Sequence, residues 1–172
     1  KYASFLLPED QPPAPTSGGT TKLPLAFHHS SMMADEAAGF IRAQAQAEAP
    51  FLLTFSGIEP HALGRRYRIV PAPFDRMYDP KAMPLPDTRR DPNAPRIARR
   101  HNVPGLIPTD AYTDEQLQDL IAGYYGAVSY VDYLFGILLQ ALIATDQLED
   151  TLVIFTSDHG EMLGDHRDRK ST

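Results

Sequence analysis

The sequence predicts an α/β fold: a mainly parallel sheet flanked by helices. Three observations predict it. Two short apolar runs, residues 51–55 and 152–156, each follow a segment whose apolar residues recur at helical spacing. The second run, Leu152-Val153-Ile154-Phe155-Thr156, stops at Ser157-Asp158-His159-Gly160, as a strand does when it delivers polar side chains to a sheet's edge. A loop dense in proline separates the two halves, so the order is helix, strand, long loop, helix, strand, which is the order of α/β domains. A chain of 172 residues is long enough to bury one core.

The elements follow in order. Residues 1–30 read as an irregular lead-in, because 8–24 are rich in Pro, Gly, Ser and Thr. A helix is expected from about Ser30 or Ser31, with Asp35 and Glu36 favourable in its first turn. Met33, Ala37, Phe40 and Ile41 give its apolar face, and Pro50 bars its continuation. Residues 51–55 suit a buried strand. From Pro60 to Pro108 the chain carries ten of its sixteen prolines, which excludes a long helix or central strand there. The proline-rich region 60–112 begins at His61, so it is expected to wall an active site. Thr113-Asp114-Glu115-Gln116 is a capping box. Leu117, Leu120, Ile121, Tyr124, Val128, Val131, Phe135, Leu138, Leu139 and Leu142 then form one stripe, and the helix should run to about Ala144. Asp132, inside that stripe, is expected to be a paired structural acid. The tyrosines at 124, 125, 130 and 133 are expected to pack core and rim.

Composition excludes several functions. The formal net charge is −6, which argues against nucleic acid as a partner, since phosphate binding needs a concentrated basic face. Arg89, Arg90, Arg96, Arg99 and Arg100 cluster among prolines and read as a solvated loop, as do Arg65, Arg66 and Arg68. There is no cysteine, so disulfides and thiolate zinc sites are excluded within this chain. No apolar run approaches the length that would span a bilayer. The stretch 1–7 is too short for a signal peptide, so any targeting segment would precede Lys1.

Asp158 and His159 offer one hard oxygen and one borderline nitrogen, a pair able to hold a divalent metal if other carboxylates join. Read alone, Asp158 could equally cap a short helix starting at His159, with Glu161 as a first-turn acid.

The stretch Thr156-Ser157-Asp158-His159-Gly160-Glu161-Met162-Leu163-Gly164-Asp165-His166, followed by Lys170, resembles the second metal-binding motif of the type I sulfatases, members of the alkaline-phosphatase superfamily. That superfamily also holds phosphonate monoester and phosphodiester hydrolases. Ala49-Pro50-Phe51-Leu52-Leu53-Thr54-Phe55-Ser56, through Pro60-His61, resembles the strand that leads to its active-site histidine. Tyr124-Tyr125-Gly126-Ala127-Val128-Ser129-Tyr130-Val131-Asp132 resembles the long helix before the metal motif.

The resemblance implies an alkaline-phosphatase-like domain, of which residues 1–172 would be a central-to-late piece. It implies that Asp158 and His159 bind a divalent metal, calcium first, with manganese or magnesium as alternatives. His61 and Lys170 would be catalytic and contact the anion, with His166, beside Asp165, as a further substrate contact. The substrate would be a small anionic ester, a sulfate ester first and a phosphonate monoester or phosphodiester as the rival. The family's nucleophile is a formylglycine made from cysteine or serine in a short Cys/Ser-x-Pro/Ala-x-Arg motif. This chain has neither that motif nor the family's early aspartate pair. It would therefore need the remainder of the catalytic domain as its partner, or be a non-catalytic piece.

Overall fold

The computed structural model describes residues 23–61, 70–90, 92 and 112–165. Helix α1 spans His29–Gln44 and helix α2 spans Asp114–Ala144. Short 3-10 turns occupy Leu25–Phe27, Phe74–Arg76, Pro80–Ala82 and Asp87–Arg90.

The local chemistry of α2 accounts for both of its ends. Thr113 Oγ1 accepts from the Gln116 amide at 3.2 Å, and Gln116 Oε1 accepts from the Thr113 amide at 2.9 Å. The predicted capping box is therefore formed. Asp114 and Glu115 sit in the first turn, where carboxylates meet the positive end of the helix dipole. At the other end Asp146 adopts φ 56°. Its amide donates to the Ile143 carbonyl at 3.1 Å, and the Gln147 amide donates to Leu142 at 2.9 Å. These are the two bonds of a Schellman termination, with Asp in place of the usual glycine.

α2 is about 45 Å long and acts as the spine. Three apolar clusters lie along it. Leu117, Leu120 and Ile121 pack with Tyr112, Met83, Leu85 and Leu163 near its start. Ala127, Tyr130 and Leu134 pack with Ala34, Phe74, Val70 and Phe55 at its middle. Ala141 and Leu142 pack with Ala38, Ile41, Phe51, Leu53 and Leu148 at its end. The segment 51–55 thus runs from the end of α2 toward its middle. The later segment leaves Leu148 at the same end, places Phe155 against Phe135 with ring centroids 5.3 Å apart, and returns to the start of α2 at Leu163. Both extended segments run in one direction, opposite to α2, and finish on the same side of the molecule. That parallel course is what delivers His61 and His159 together.

Gly126 lets the proline-rich segment approach the spine. A Cβ at this position would lie 2.1 Å from the Phe74 carbonyl oxygen. Phe74 can therefore pack, tilted, against Tyr130 and Tyr133, with ring centroids 5.3 and 5.6 Å away.

Tyr130 is fully buried on α2. Its hydroxyl lies 2.7 Å from Ser31 Oγ and 3.2 Å from His28 Nδ1. Burial pushes its pKa up to about 12. A folded pKa above the unfolded one means stability that is complete below the unfolded value. It is lost as pH rises from the ordinary tyrosine range, about 10, toward the folded value. Tyr130→Phe should therefore cost about 1–3 kcal/mol near neutral pH, the cost of orphaning buried partners. It should also flatten the alkaline decline of stability. Urea unfolding of both forms at pH 8 and pH 11 measures this, and a cost that does not shrink at the higher pH contradicts it.

Several expectations are corrected. α1 starts at His29, one residue before the predicted start, and has no acid in its first turn. The chain is extended at His28, and the buried Ser30 and Ser31 follow it directly into the helix, so Asp35 and Glu36 fall in the second turn. Asp132 is exposed, not a paired interior acid, because its place on the helix turns away from α1. Arg89 is not a solvated loop arginine. Its side chain is 11% exposed, pairs with Asp114, and donates to the Tyr112 carbonyl at 3.1 Å. This pairing holds the Asp114 carboxyl below the usual carboxylate range. Arg90 is 78% exposed, as expected, but also reaches Asp114, at 3.2 Å.

The sheet itself is not among the described elements: 51–55 and 152–156 are extended without ladder partners there. Phe51, Leu53 and Phe55 are half-buried against the helices, while Leu52 is 92%, Leu152 86% and Ile154 75% exposed. α2 is, by length and composition, apolar enough to cross a membrane, which the reading of the sequence did not anticipate. Core helices meet the same test, and α2 packs along its length on α1 and the 3-10 turns.

Candidate functional site

The extended segment ends in a bend at Asp158. Asp158 Oδ1 accepts from the His159 amide at 2.9 Å, and Ser157 Oγ donates to the His159 carbonyl at 2.6 Å. These local bonds turn the chain immediately after the strand-like run, as Asx and Ser turns do. Among the described residues no helix starts at His159: 159–162 are irregular, and the Asp165 amide donates to the Met162 carbonyl at 2.9 Å in a turn, so Glu161 is not a first-turn acid.

His159 Nδ1 lies 2.9 Å from the Gly160 carbonyl. A carbonyl only accepts, so Nδ1 carries the proton and Nε2 keeps its lone pair. That nitrogen lies 3.9 Å from Asp158 Oδ2. A metal–oxygen and a metal–nitrogen bond together span about 4.4 Å, so one cation can touch both atoms. The Asp158 side chain is 90% exposed and His159 29%. The donor set fits a hard or borderline divalent cation but is incomplete. Among the described residues no group of three or more acids and imidazoles gathers as ligands. Calcium takes about six to eight oxygens.

His61 arrives from the other segment. Its ring packs edge-on against His159, with centroids 5.8 Å apart. Its amide donates to the Ile58 carbonyl at 2.9 Å, closing the turn that follows 51–55. Residues 98 positions apart in sequence (159 − 61) are therefore neighbours. Lys170 and His166 lie outside the described residues, as do Arg65, Arg66, Arg68, Arg96, Arg99 and Arg100.

The turn after the motif is anchored to α2. Leu163 takes φ 50° and Gly164 φ 102°, and a Cβ on Gly164 would meet Leu117 Cδ2 at 2.9 Å. Thr88 Oγ1 donates to Asp165 Oδ1, fastening the Asp87–Arg90 turn to the same place. The resemblance put the Asp165-His166 pair in the site's outer shell or among its substrate contacts; among the described residues the Asp165 side chain makes this fastening.

Reading the residues alone missed a buried polar group beside His61. Glu59 accepts from Ser30 Oγ at 2.6 Å and faces His28 Nδ1 at 3.9 Å. The signal available was an acid directly before Pro60-His61, the sole acid between Glu48 and Asp75.

The fold that brings these residues together has solved counterparts. The phosphonate monoester hydrolase SpPMH from Silicibacter pomeroyi superposes with a TM-score of 0.71 at 30% identity, over 98% of this chain and 35% of its own. The fold is that of the alkaline-phosphatase superfamily. The multifunctional alkaline phosphatase superfamily protein PehA of Trinickia caryophylli is 31% identical over 176 residues, 93% of this chain and 33% of PehA. An arylsulfatase of Clostridium perfringens is 30% identical over 144 residues, 81% of this chain and 28% of that enzyme. The Sulfatase family model matches residues 2–172, and the chain belongs to that family. It spans about a third of the length of these relatives.

Proposed function

We propose that this chain is part of the catalytic domain of a metal-dependent hydrolase of small anionic esters, sulfate esters first. The observation that carries the reading is the convergence of His61 on the Asp158–His159 pair. In the complete domain, residues 51–55 and 152–156 would be strands of a mainly parallel sheet, and the proline-rich region 60–112 would wall the site. Asp158 and His159 would hold the cation, calcium first, with manganese or magnesium as alternatives. When bound, it would offset negative charge on the ester's oxygens. His61 would hand a proton to the departing alcohol. Lys170 would stabilise the negative charge that gathers on that oxygen as the ester bond breaks, with His166 as a further contact. The nucleophile would come from the rest of the polypeptide, since this chain has no Cys or Ser in the family's motif.

A second reading, a phosphonate monoester or phosphodiester hydrolase, is favoured by a specific feature: a histidine follows the metal aspartate, where many sulfatases carry asparagine. The superposition on a phosphonate monoester hydrolase also supports it.

The test uses an aryl sulfate, an aryl phosphonate monoester and a phosphodiester, each with calcium and then manganese. The complete polypeptide should turn over at least one, and the preferred ester decides between the readings. Residues 1–172 alone should turn over none, because no covalent path remains. The isolated chain should also be poorly soluble, since Leu52, Leu152, Ile154 and Phe155 are exposed along unpaired extended segments. Turnover by the isolated chain that vanishes in Asp158→Ala would overturn the need for a further segment.

A further inference from the structure

Five polar side chains meet where α1 begins, α2 passes its midpoint and the His61 turn crosses them. Ser30 Oγ donates to Glu59 Oε2 at 2.6 Å. Glu59 Oε1 lies 3.9 Å from His28 Nδ1. His28 Nδ1 lies 3.2 Å from the Tyr130 hydroxyl, which lies 2.7 Å from Ser31 Oγ. The His28 and Tyr130 rings also meet edge to face, with centroids 5.3 Å apart. The group is largely buried: Ser30 is 1%, Ser31 3% and Tyr130 0% exposed, and the Glu59 and His28 side chains are 10% and 12% exposed.

A carboxylate in such a place is costly unless its oxygens are met by donors. The position of Glu59 is therefore set by where Ser30 and His28 stand. One residue, Pro60, separates Glu59 from His61, and its ring fixes a backbone torsion. The His61 amide bonds back to Ile58, so the Ile58-Glu59-Pro60-His61 turn moves as one piece. A rigid turn with one end bolted into a largely buried polar group can present its other end in one orientation.

We propose that Glu59 is a positioning residue: bound by Ser30 and facing His28, it sets the His61 imidazole against His159 and Asp158. The proposal rests on the reading of His61 as a site residue. Glu59 itself touches no reacting atom. Its role is to remove the freedom of a group that must be placed to within a fraction of an ångström.

The experiment uses the complete polypeptide with labelled histidine. In the wild type, ring protons of His61 and His159 should give a nuclear Overhauser cross-peak, given their contact. Glu59→Ala should erase it. kcat should fall about 10- to 100-fold, the usual cost of losing a supporting partner, with KM within about twofold. Glu59→Gln keeps an acceptor for Ser30 and should restore the cross-peak and most of the rate. In a His61→Ala background, Glu59→Ala should add no further loss, because it acts through His61. A folded Glu59→Ala protein with the cross-peak intact would overturn the proposal. So would a penalty that multiplies in the His61→Ala background. Where Glu59→Ala fails to fold, Ser30→Ala removes a single hydrogen bond, and an unchanged cross-peak there refutes the proposal equally. Absence of turnover in the wild type would sink the hydrolase reading alone, because the cross-peak reports position without chemistry.

Discussion

Under the proposed metal role, Asp158→Ala is expected to lower kcat/KM of the complete polypeptide by about a thousandfold or more, since a bound cation would supply several kcal/mol and each 1.36 kcal/mol is tenfold. The carboxylate is the hard donor of the pair, and its Oδ2 is the atom that faces His159 Nε2. Removing it leaves one imidazole nitrogen as this pair's contribution, and a hard cation favours oxygen donors. Asp158 also accepts from the His159 amide, so the substitution loosens the bend that aims the ring. Asp158→Asn preserves the bend while removing the charge, and separates the two contributions. It should retain the fold and lose the metal, read by calorimetric titration with calcium and manganese. Activity within threefold of wild type in Asp158→Ala would contradict the metal role and leave the pair as a turn.

The second large effect concerns stability. Gly126→Ala is expected to destabilise the fold by about 3 kcal/mol or more, beyond the usual range for overpacking. The new Cβ would stand 2.1 Å from a backbone oxygen, that of Phe74, and 3.2 Å from its carbonyl carbon. A side chain could rotate away, but a backbone carbonyl in a packed turn cannot without carrying Phe74 off Tyr130 and Tyr133. Gly136, on the same helix, is the control. A Cβ there meets nothing within 4 Å, so Gly136→Ala should stabilise by up to about 1 kcal/mol through helix propensity alone. Urea unfolding of the two variants should give shifts of opposite sign. Equal small shifts would mean that the Phe74 turn does not rest on α2.

The site and the fold were not equally legible in the chain. Signals confined to a few neighbours could be read directly. Thr113 and Gln116 are three residues apart, and their reciprocal hydrogen bonds need nothing else in the molecule. The end of α2 at Ala144 was legible too, but its stripe only in part: Leu117, Leu120, Ile121 and Leu142 are buried as predicted, whereas Val128 is 45% exposed and the middle of the buried face is Ala127, Tyr130 and Leu134. The arrest of the β-branched run at Ser157-Asp158-His159 is likewise local, because the bend is made by Asp158 and Ser157 bonding to His159.

Tertiary structure decided what depends on distant partners. Periodicity cannot tell a solvated arginine from one paired across the fold, so Arg89 came out as an ion-pair partner of Asp114 that its proline-rich setting did not announce. Asp132 could be placed on a helix from sequence, but which face met α1 was set by packing, and Asp132 faces outward. Glu59, one acid among many, becomes a buried anchor only because α1 brings Ser30 and His28 to it. The meeting of His61 with His159 has the same origin. Each histidine closes its own extended segment, as local sequence dictates. Their contact arises because both segments follow α2 in the same direction, held by apolar side chains at its end, middle and start. The sequence by itself determined where chemistry-bearing residues end their segments. The long-range burial along one helix, which no short window of residues encodes, decided that those ends coincide.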